Sequence, residues 1–506
     1  MSMESFDLIV IGGGPGGHAV AEEAALQGAR VCIIERNGWG GTCTHRGCVP
    51  TKALLVCSRH YVDLKKIKRL GISLGEAGFD YAVIRRHRDQ MTRISALGVE
   101  KTLQAAGVTM RNGYGRILSP GKVQWTSATG ESETLAASHL VIAWGSEPSL
   151  PPFLLPKQDI AGRESPASRR GTSSRSEALI SESGALSSVA AASANDGRRS
   201  PDDVPGRIPG RVLTSDAFLQ LAALPQSVVI IGGSVIGVEF ATFLAEVGTK
   251  VEIVEILPSI LPYEEEEAAE FLARELQKMG IKIHTALSVG SLEEKGGGVI
   301  VGGDRDGNRL ELEAEYALVC TGRRPRLDEE SLREMDIRYD RRGIAVNEHQ
   351  ETNIAGIYAI GDVTGGIMLA HRAQQQGRAL ASRLFGDGTV VYREEMVPSV
   401  TYTHPPIARI GLTERQAREN GWNVEIRRTD YGVNIMAHGT GGSGLRQVHL
   451  PRRPPRWCHH RRGRCSGPHR RPDARHDRRR RFENPPGMDT PSPDPFRGLA
   501  SVMSSG

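Results

Sequence analysis

The sequence predicts an α/β fold of two Rossmann-like domains followed by a truncated, aberrant α+β region. Three observations predict it. Apolar runs at residues 6–11 and 227–231 each lead into a glycine-rich turn and a helical segment, and a second strand ending in a glutamate follows each, Glu35 and then Glu255. That succession is the mark of a βαβ unit in a parallel sheet. A chain of 506 residues is too long for one core and suggests roughly three domains. Beyond about Gly442 the apolar periodicity stops, and an Arg, His and Pro run replaces it.

Hydrophobic residues make up 39% of the chain, enough for globular folding, and the 59 glycines point to tight turns and close backbone approaches. The formal charge of +5 implies little by itself, because Arg is crowded into residues 446–481. No stretch approaches the roughly 20 apolar residues that cross a bilayer. The first residues carry no secretory signal either, since the apolar run 6–11 leads straight into glycines. The expectation is a cytoplasmic protein without membrane segments. Seven cysteines in a reducing compartment do not make a structural disulfide framework, so a close pair there reads as catalytic or metal-binding.

The first turn carries a dinucleotide fingerprint in full context. Gly12 allows the tight turn, Gly14 lets the backbone approach a pyrophosphate, and Gly17 lets helix and strand pack closely. The helix N-terminus stabilises phosphate charge, and Glu35 can accept hydrogen bonds from a ribose. The second turn keeps Gly232 and Gly237 but has Ser234 in the middle glycine's place. A side chain there should crowd the pyrophosphate and weaken nucleotide binding without abolishing the fold. Glu255 suits the free 2′-hydroxyl of NAD, whereas an NADP site would place Arg nearby to meet the 2′-phosphate.

Between the two units lie Cys43 and Cys48, with four residues separating them, so one helical turn can bring them within disulfide distance. Spacing alone leaves three readings open: a redox pair, a zinc site with His45 as the one further ligand nearby, or a packed, inert pair.

The run Gly-Thr-Cys-Thr-His-Arg-Gly-Cys-Val-Pro-Thr-Lys at 41–52, following the fingerprint, resembles dihydrolipoyl dehydrogenase and its relatives. The resemblance covers most of residues 1–156 and 211–439, and the residues 50–54 favour the lipoamide branch over the glutathione branch. It implies that the first domain holds FAD and the second NAD. Cys43 would then exchange with the dithiol substrate, and Cys48 would lie against the flavin as its charge-transfer thiolate. Lys52 would sit near the flavin N5, paired with Glu239 of the NAD domain. Cys57 has no part in this scheme.

Further motifs extend the likeness. Gly115 would meet the adenine end of FAD, and the strand-to-turn motif 140–148 would close the first domain, with Trp144 where a Thr is usual. Gly322 would lie near the nicotinamide nucleotide. Asp362 would bond the ribityl chain, and Ala370, in the stretch 368–371, would follow beneath the flavin. The stretch 398–405 resembles the opening of the family's α+β interface domain, through which it forms a homodimer. The implied layout is FAD-binding at 1–156 and 331–395, NAD-binding at 211–330 and interface at 396–442. The implied partner is the lipoyl domain of a 2-oxoacid dehydrogenase complex or of the glycine cleavage system. A rival reading is mercuric reductase, which shares the cysteine loop but normally adds a C-terminal cysteine pair that Cys458 and Cys465 do not resemble. A third is an inactive FAD-binding chain.

Two segments break the pattern. Residues 157–210 are rich in Ser, Arg, Ala, Gly and Pro, a composition that buries too little surface to offset its ordering entropy, and are expected to be a disordered insert. Residues 443–506 form an Arg- and Pro-rich tail where the family carries a His-Pro-Thr-x-x-Glu motif, its acid–base pair. As a basic nucleic-acid tail it lacks aromatic interleaving and any fold signature. Read one base out of register, however, the codons for residues 446–449 can encode Ala-Lys-Phe-Ile, and those for 492–497 can encode His-Pro-Thr-Leu-Ser-Glu. Between them, the codons from Trp457 onward can give a Gly-Glu-Asp-Ala helix start. The expectation is a reading-frame slip near Gly442. Sequencing the gene across these codons should reveal all three stretches in the neighbouring frame, and their absence there would remove the frame-slip reading.

Overall fold

The computed structural model describes residues 3–154, 210–430 and 445–451, the last as a backbone strand. Nearly all of the expected insert and most of the expected tail, with Cys458 and Cys465, lie outside the described residues.

The first sheet is built around β1 (Ser5–Ile11), whose last four residues are all buried. Such a run, apolar on both faces, belongs in the middle of a covered parallel sheet. Helix α1 (Pro15–Leu26) returns the chain to β2 (Val31–Glu35), parallel to β1. The short α2 (Gly41–Arg46), the long α3 (Cys48–Lys66) and α4 (Tyr81–Ala105) follow. Strands β3 (Thr109–Asn112), β4 (Tyr114–Ser119), β5 (Lys122–Thr126) and β6 (Ser132–Ile142) complete the order β3-β2-β1-β6-β5-β4. The eleven-residue β6 does two jobs: its start pairs antiparallel with β5, and its end runs parallel beside β1. The chain leaves through β7 (Ser146–Pro148).

The second sheet repeats this plan. It gathers β8 (Val212–Thr214), β9 (Ser227–Ile231), β10 (Lys250–Val254), β11 (Lys282–His284) and β15 (Tyr316–Val319) in the parallel order β11-β10-β9-β15-β8. Helices α5 (Ser215–Phe218), α6 (Val235–Glu246) and α7 (Glu266–Lys278) connect it. A separate three-stranded antiparallel sheet, β12 (Ser288–Lys295), β13 (Gly298–Arg305) and β14 (Asn308–Ala314), takes the place in chain order that β4, β5 and the start of β6 take in the first domain. Strand β16 (Arg323–Pro325) then pairs with β7, so the chain re-enters the first domain beside the strand by which it left. Helix α8 (Glu329–Glu334), the two-residue strands β17 (Tyr339–Asp340) and β18 (Gly343–Ile344), and β19 (Ile357–Ala359) follow, and β19 adds to the first sheet against β6. Helix α9 (Ala370–Phe385) packs on α1, and a Cβ on Gly377 would collide with the Gly16 carbonyl.

The remaining described elements are β20 (Ser399–Thr401), β21 (Ile407–Arg409), α10 (Glu414–Glu419) and β22 (Val424–Asp430). One further strand, β23 (Leu445–Pro451), pairs antiparallel with β22. The expected tail thus begins with a strand where no ordered element was foreseen. Ladder pairing uses backbone groups, which every residue but proline supplies, so an arginine-containing stretch can still extend a sheet.

One apolar cluster crosses between the domains. Leu54 and Leu55 of α3 and Tyr81 of α4 join Phe218, Phe240 and Phe243 of the second domain, and the Phe218 and Phe240 rings meet edge-on at 4.8 Å. Trp144, partly buried, packs against the first domain's core and also lines the cleft described below. Phe243→Ala, at a fully buried position, should cost about 3–5 kcal/mol and lower the thermal midpoint. An unchanged midpoint would show that this inter-domain cluster is not packed as described.

Candidate active site

The two glycine turns fold alike. Gly12 holds a φ of +117°, and a Cβ on Gly17 would strike the Gly12 carbonyl oxygen, so both positions require glycine. Gly232, at φ +111°, and Gly237 repeat the arrangement. The Gly13 N–H donates to Glu35 Oε2 at 2.6 Å and the Asn37 N–H to Oε1 at 2.6 Å. In the second domain the Gly233 and Leu257 N–H groups donate to Glu255 at 2.7 and 2.8 Å. Both carboxylates are buried and aimed back at their turns, where a ribose would lie.

The turns differ at the helix start. Gly14 offers no side-chain cap to α1, leaving backbone N–H groups open to a phosphate. Ser234 caps α6 instead: its Oγ accepts from the Gly237 N–H and donates to the Cys320 carbonyl at 2.8 Å. The hydroxyl is folded back into the cap, so the expected crowding reduces to one Cβ. Gly115 sits against Ile11 and Ile34, where an added Cβ would press on both side chains.

Cys43 and Cys48 do not share one helical turn. Helix α2 ends at Arg46, Gly47 breaks the direction, and Cys48 opens α3. The two stand as free, half-buried thiols sharing a hydrogen bond. That bond, with the Lys52 ammonium, pulls Cys48 down to about 7 against the upward push of burial. The same bond and burial push Cys43 up. The shared hydrogen bond therefore favours the proton on Cys43 and the negative charge on Cys48. His45, the candidate zinc ligand, instead directs its Nε2 to the Trp39 carbonyl at 3.0 Å.

Lys52, one turn beyond Cys48, donates from Nζ to both oxygens of Glu239, at 2.9 and 2.7 Å. The pair expected from the sequence is thus in contact across the two domains. On the far side, Asp362 accepts from Ser146 Oγ at 2.6 Å, and Ser146 Oγ in turn accepts from Arg323 Nε at 2.8 Å. Gly322 and Ala370 line the same cleft of about 2980 Å³, together with both turns and both cysteines. Usual small-molecule pockets measure roughly 300–1,000 Å³, so this one has room for two dinucleotides.

Sequence reasoning missed four participants. Asp216, nearly fully buried, lies 3.7 Å from Arg46 Nε and 3.6 Å from Arg323 Nη1, tying the cysteine loop to the second domain. Tyr402 sets its ring 4.7 Å from Lys52 Nζ. Glu246 and His404 form a pair at 2.6 Å. Each contact joins residues far apart in the chain, and only the run 398–405 offered a local signal. Among the described cleft-lining residues His371 is the one histidine, and burial with the nearby Lys52 charge holds its pKa down. His404 and Glu246 are not among them. No helix among the described residues is long and apolar enough to cross a membrane.

The family model described as pyridine nucleotide-disulphide oxidoreductase matches residues 6–178 and 192–377, and the model of that family's dimerisation domain matches 397–444. The chain is similar to a dihydrolipoyl dehydrogenase of Mycobacterium leprae, 31% identical over 445 residues, 87% of this chain and 84% of that one. It is likewise similar to a dihydrolipoyl dehydrogenase of Bacillus subtilis, 32% identical and covering 85% and 82% of the two chains. Among solved structures, LpdA from Mycobacterium tuberculosis shares the fold with a TM-score of 0.72 at 22% identity, over 89% of this chain and 87% of that one. The HOCl-induced flavoprotein disulfide reductase RclA from Escherichia coli does so with a TM-score of 0.67 at 22% identity, over 88% and 86%.

Replacing the capping serine separates its two effects. Ser234→Gly should tighten NADH binding roughly fivefold, on the order of 1 kcal/mol, by removing the Cβ from the phosphate's approach. It should cost only a few tenths of a kcal/mol in helix capping. Isothermal titration beside a thermal melt checks both, and weaker NADH binding would reverse the assignment.

Proposed function

Because the chain belongs to the pyridine nucleotide-disulphide oxidoreductase family, whose cofactors are FAD and NAD, we propose that it oxidises protein-bound dihydrolipoamide with NAD⁺ through a Cys43–Cys48 disulfide. The observation that carries this reading is the hydrogen-bonded Cys43 and Cys48 pair beside the Lys52–Glu239 contact, at the seam of two nucleotide-type turns.

A thiolate of the substrate attacks one sulfur of the Cys43–Cys48 disulfide, and its second thiol displaces the mixed disulfide, leaving cyclic lipoamide and two reduced cysteines. Cys43 is the exchanging member, because attack on its sulfur expels Cys48, whose lowered pKa makes it the better leaving thiolate. FAD, when bound, carries the two electrons from the cysteine pair to NAD⁺, giving NADH and one proton. Gly12, Gly14, Gly17, Glu35, Gly115, Asp362 and Ala370 would hold it, and the buried Glu35 and the uncapped α1 terminus fit its ribose and pyrophosphate. Gly232, Gly237, Glu255 and Gly322 would hold NAD, with Glu255 on the 2′-hydroxyl. Lys52 keeps positive charge beside Cys48, and Glu239 keeps the ammonium in place.

The expected partner is a lipoyl domain, and the assembly a homodimer through the region matched by the dimerisation model. A second reading, an FAD-binding chain without turnover, is favoured by the encoded stretch 443–506, which carries no His-Pro-Thr-x-x-Glu motif to offer a partner subunit, while thiolate generation on a dithiol needs a general base beside the thiols. A frame slip near Gly442 would account for the missing pair.

Purified full chain should be yellow from bound FAD, and Cys43→Ser should keep that colour while abolishing NADH formation from dihydrolipoamide. Restoring the neighbouring frame should raise turnover by roughly 10²–10⁴-fold, the usual worth of a positioned acid–base group. Colourless protein would sink the proposal. Bound FAD with no turnover in either frame would establish the second reading.

A further inference from the structure

Two rungs of polar contacts tie the start of the interface region to the helices that carry the redox centre. The first joins Lys52 of α3, Glu239 of α6 and Tyr402, just after β20. The Tyr402 N–H donates to Glu239 Oε1 at 3.0 Å, while its ring lies 4.7 Å from Lys52 Nζ. The second rung lies two helical turns along α6. There Glu246 accepts from Ser58 Oγ of α3 at 2.5 Å and meets His404 Nδ1 at 2.6 Å. Glu239 and Glu246 are both nearly fully buried and seven residues apart, so they share one helix face, turned toward α3 and the strand end.

The chemistry of the first rung is specific. An ammonium has three N–H donors, and Glu239 takes two of them. The electron-rich face of an aromatic ring attracts the same cation without competing for those donors. The Tyr402 N–H meanwhile fixes the carboxylate from the other side. Lys52 is thus held from two directions, and the second rung anchors the segment that holds it.

We propose that Tyr402 is a positioning residue for Lys52, its ring fixing the ammonium beside Cys48 while its backbone N–H fixes Glu239. The interface segment thereby completes the electrostatics of the thiol pair within one chain, before any partner subunit contributes. The catalytic consequence rests on Cys48 being the flavin-side thiol of the function proposed above, but the contact itself does not depend on turnover.

The test reads Cys48 directly. The full chain with its FAD is reduced with dithiothreitol and labelled with iodoacetamide across pH. Trypsin then cuts after Arg46 and Lys52, releasing Cys48 without Cys43 for mass spectrometry. Tyr402→Leu should raise the half-labelling pH of Cys48 by about 0.5 unit, the size of one partly desolvated cation–π contact. Tyr402→Phe, which keeps the ring, should stay at the parental value. Tyr402→Met serves as a second ringless variant if leucine impairs folding, with retained yellow colour as the control. A parental midpoint in the folded ringless variants overturns the proposal. So does a Tyr402→Phe shift as large as theirs, since the hydroxyl and not the ring face would then be responsible. Absence of dihydrolipoamide turnover would sink the proposed reaction while leaving these midpoints to decide the role of Tyr402.

Discussion

The contact between Lys52 and Glu239 joins residues 187 positions apart, and much of the molecule is arranged to make it possible. Glu239 is almost fully buried, and a carboxylate so placed is strongly unfavourable without a partner. Lys52 supplies that partner only if α3 of the first domain lies along α6 of the second. The cluster that includes Leu54, Phe240 and Phe243 holds those helices together, and Asp216 between Arg46 and Arg323 pins the cysteine loop beside them. The ammonium then serves a second purpose. It stands one turn from Cys48 and adds to the Cys43 hydrogen bond in favouring the thiolate there, against the smaller opposing charge of Glu239.

The two domains show how one backbone solution is used twice. Each places a glycine at positive φ after the first strand of its βαβ unit and a second glycine five residues later where a Cβ would strike the first one's carbonyl. Each closes its turn onto a buried glutamate at the end of the next strand. The divergence is confined to the helix start, where an open Gly14 in one domain is matched by a self-capping Ser234 in the other. A capped helix terminus has one donor fewer to offer a phosphate.

The C-terminal side is built differently. Its first segment, 399–404, is well integrated: it reaches Glu239 and Glu246, and Ser399 donates to Glu264 while Arg409 bonds the same carboxylate. The match to the dimerisation model stops at residue 444, where the arginine-rich stretch sets in. The cysteine pair, Lys52, Glu239 and both glycine turns line one cleft within the described residues. His404 and Glu246, which do not line the cleft, brace the helices.

The sequence by itself determined both glycine turns, the glutamates that close them, the cysteine pair and the doubled βαβ plan. These are written in contiguous stretches, because a tight turn, a helix start or a buried strand is dictated by residues a few positions apart. The sequence could also name Lys52 and Glu239 as partners, but only through resemblance, since nothing local links them. Tertiary structure alone decided that Gly47 puts Cys43 and Cys48 on separate helices, that Trp144 packs against the edge of the first core, and that Ser234 turns its hydroxyl into a helix cap. It alone brought Asp216, Tyr402, Glu246 and His404 to their partners. The reason is physical: which polar groups meet in the interior follows from how whole helices pack, and packing is settled by apolar contacts between segments that the chain order keeps far apart.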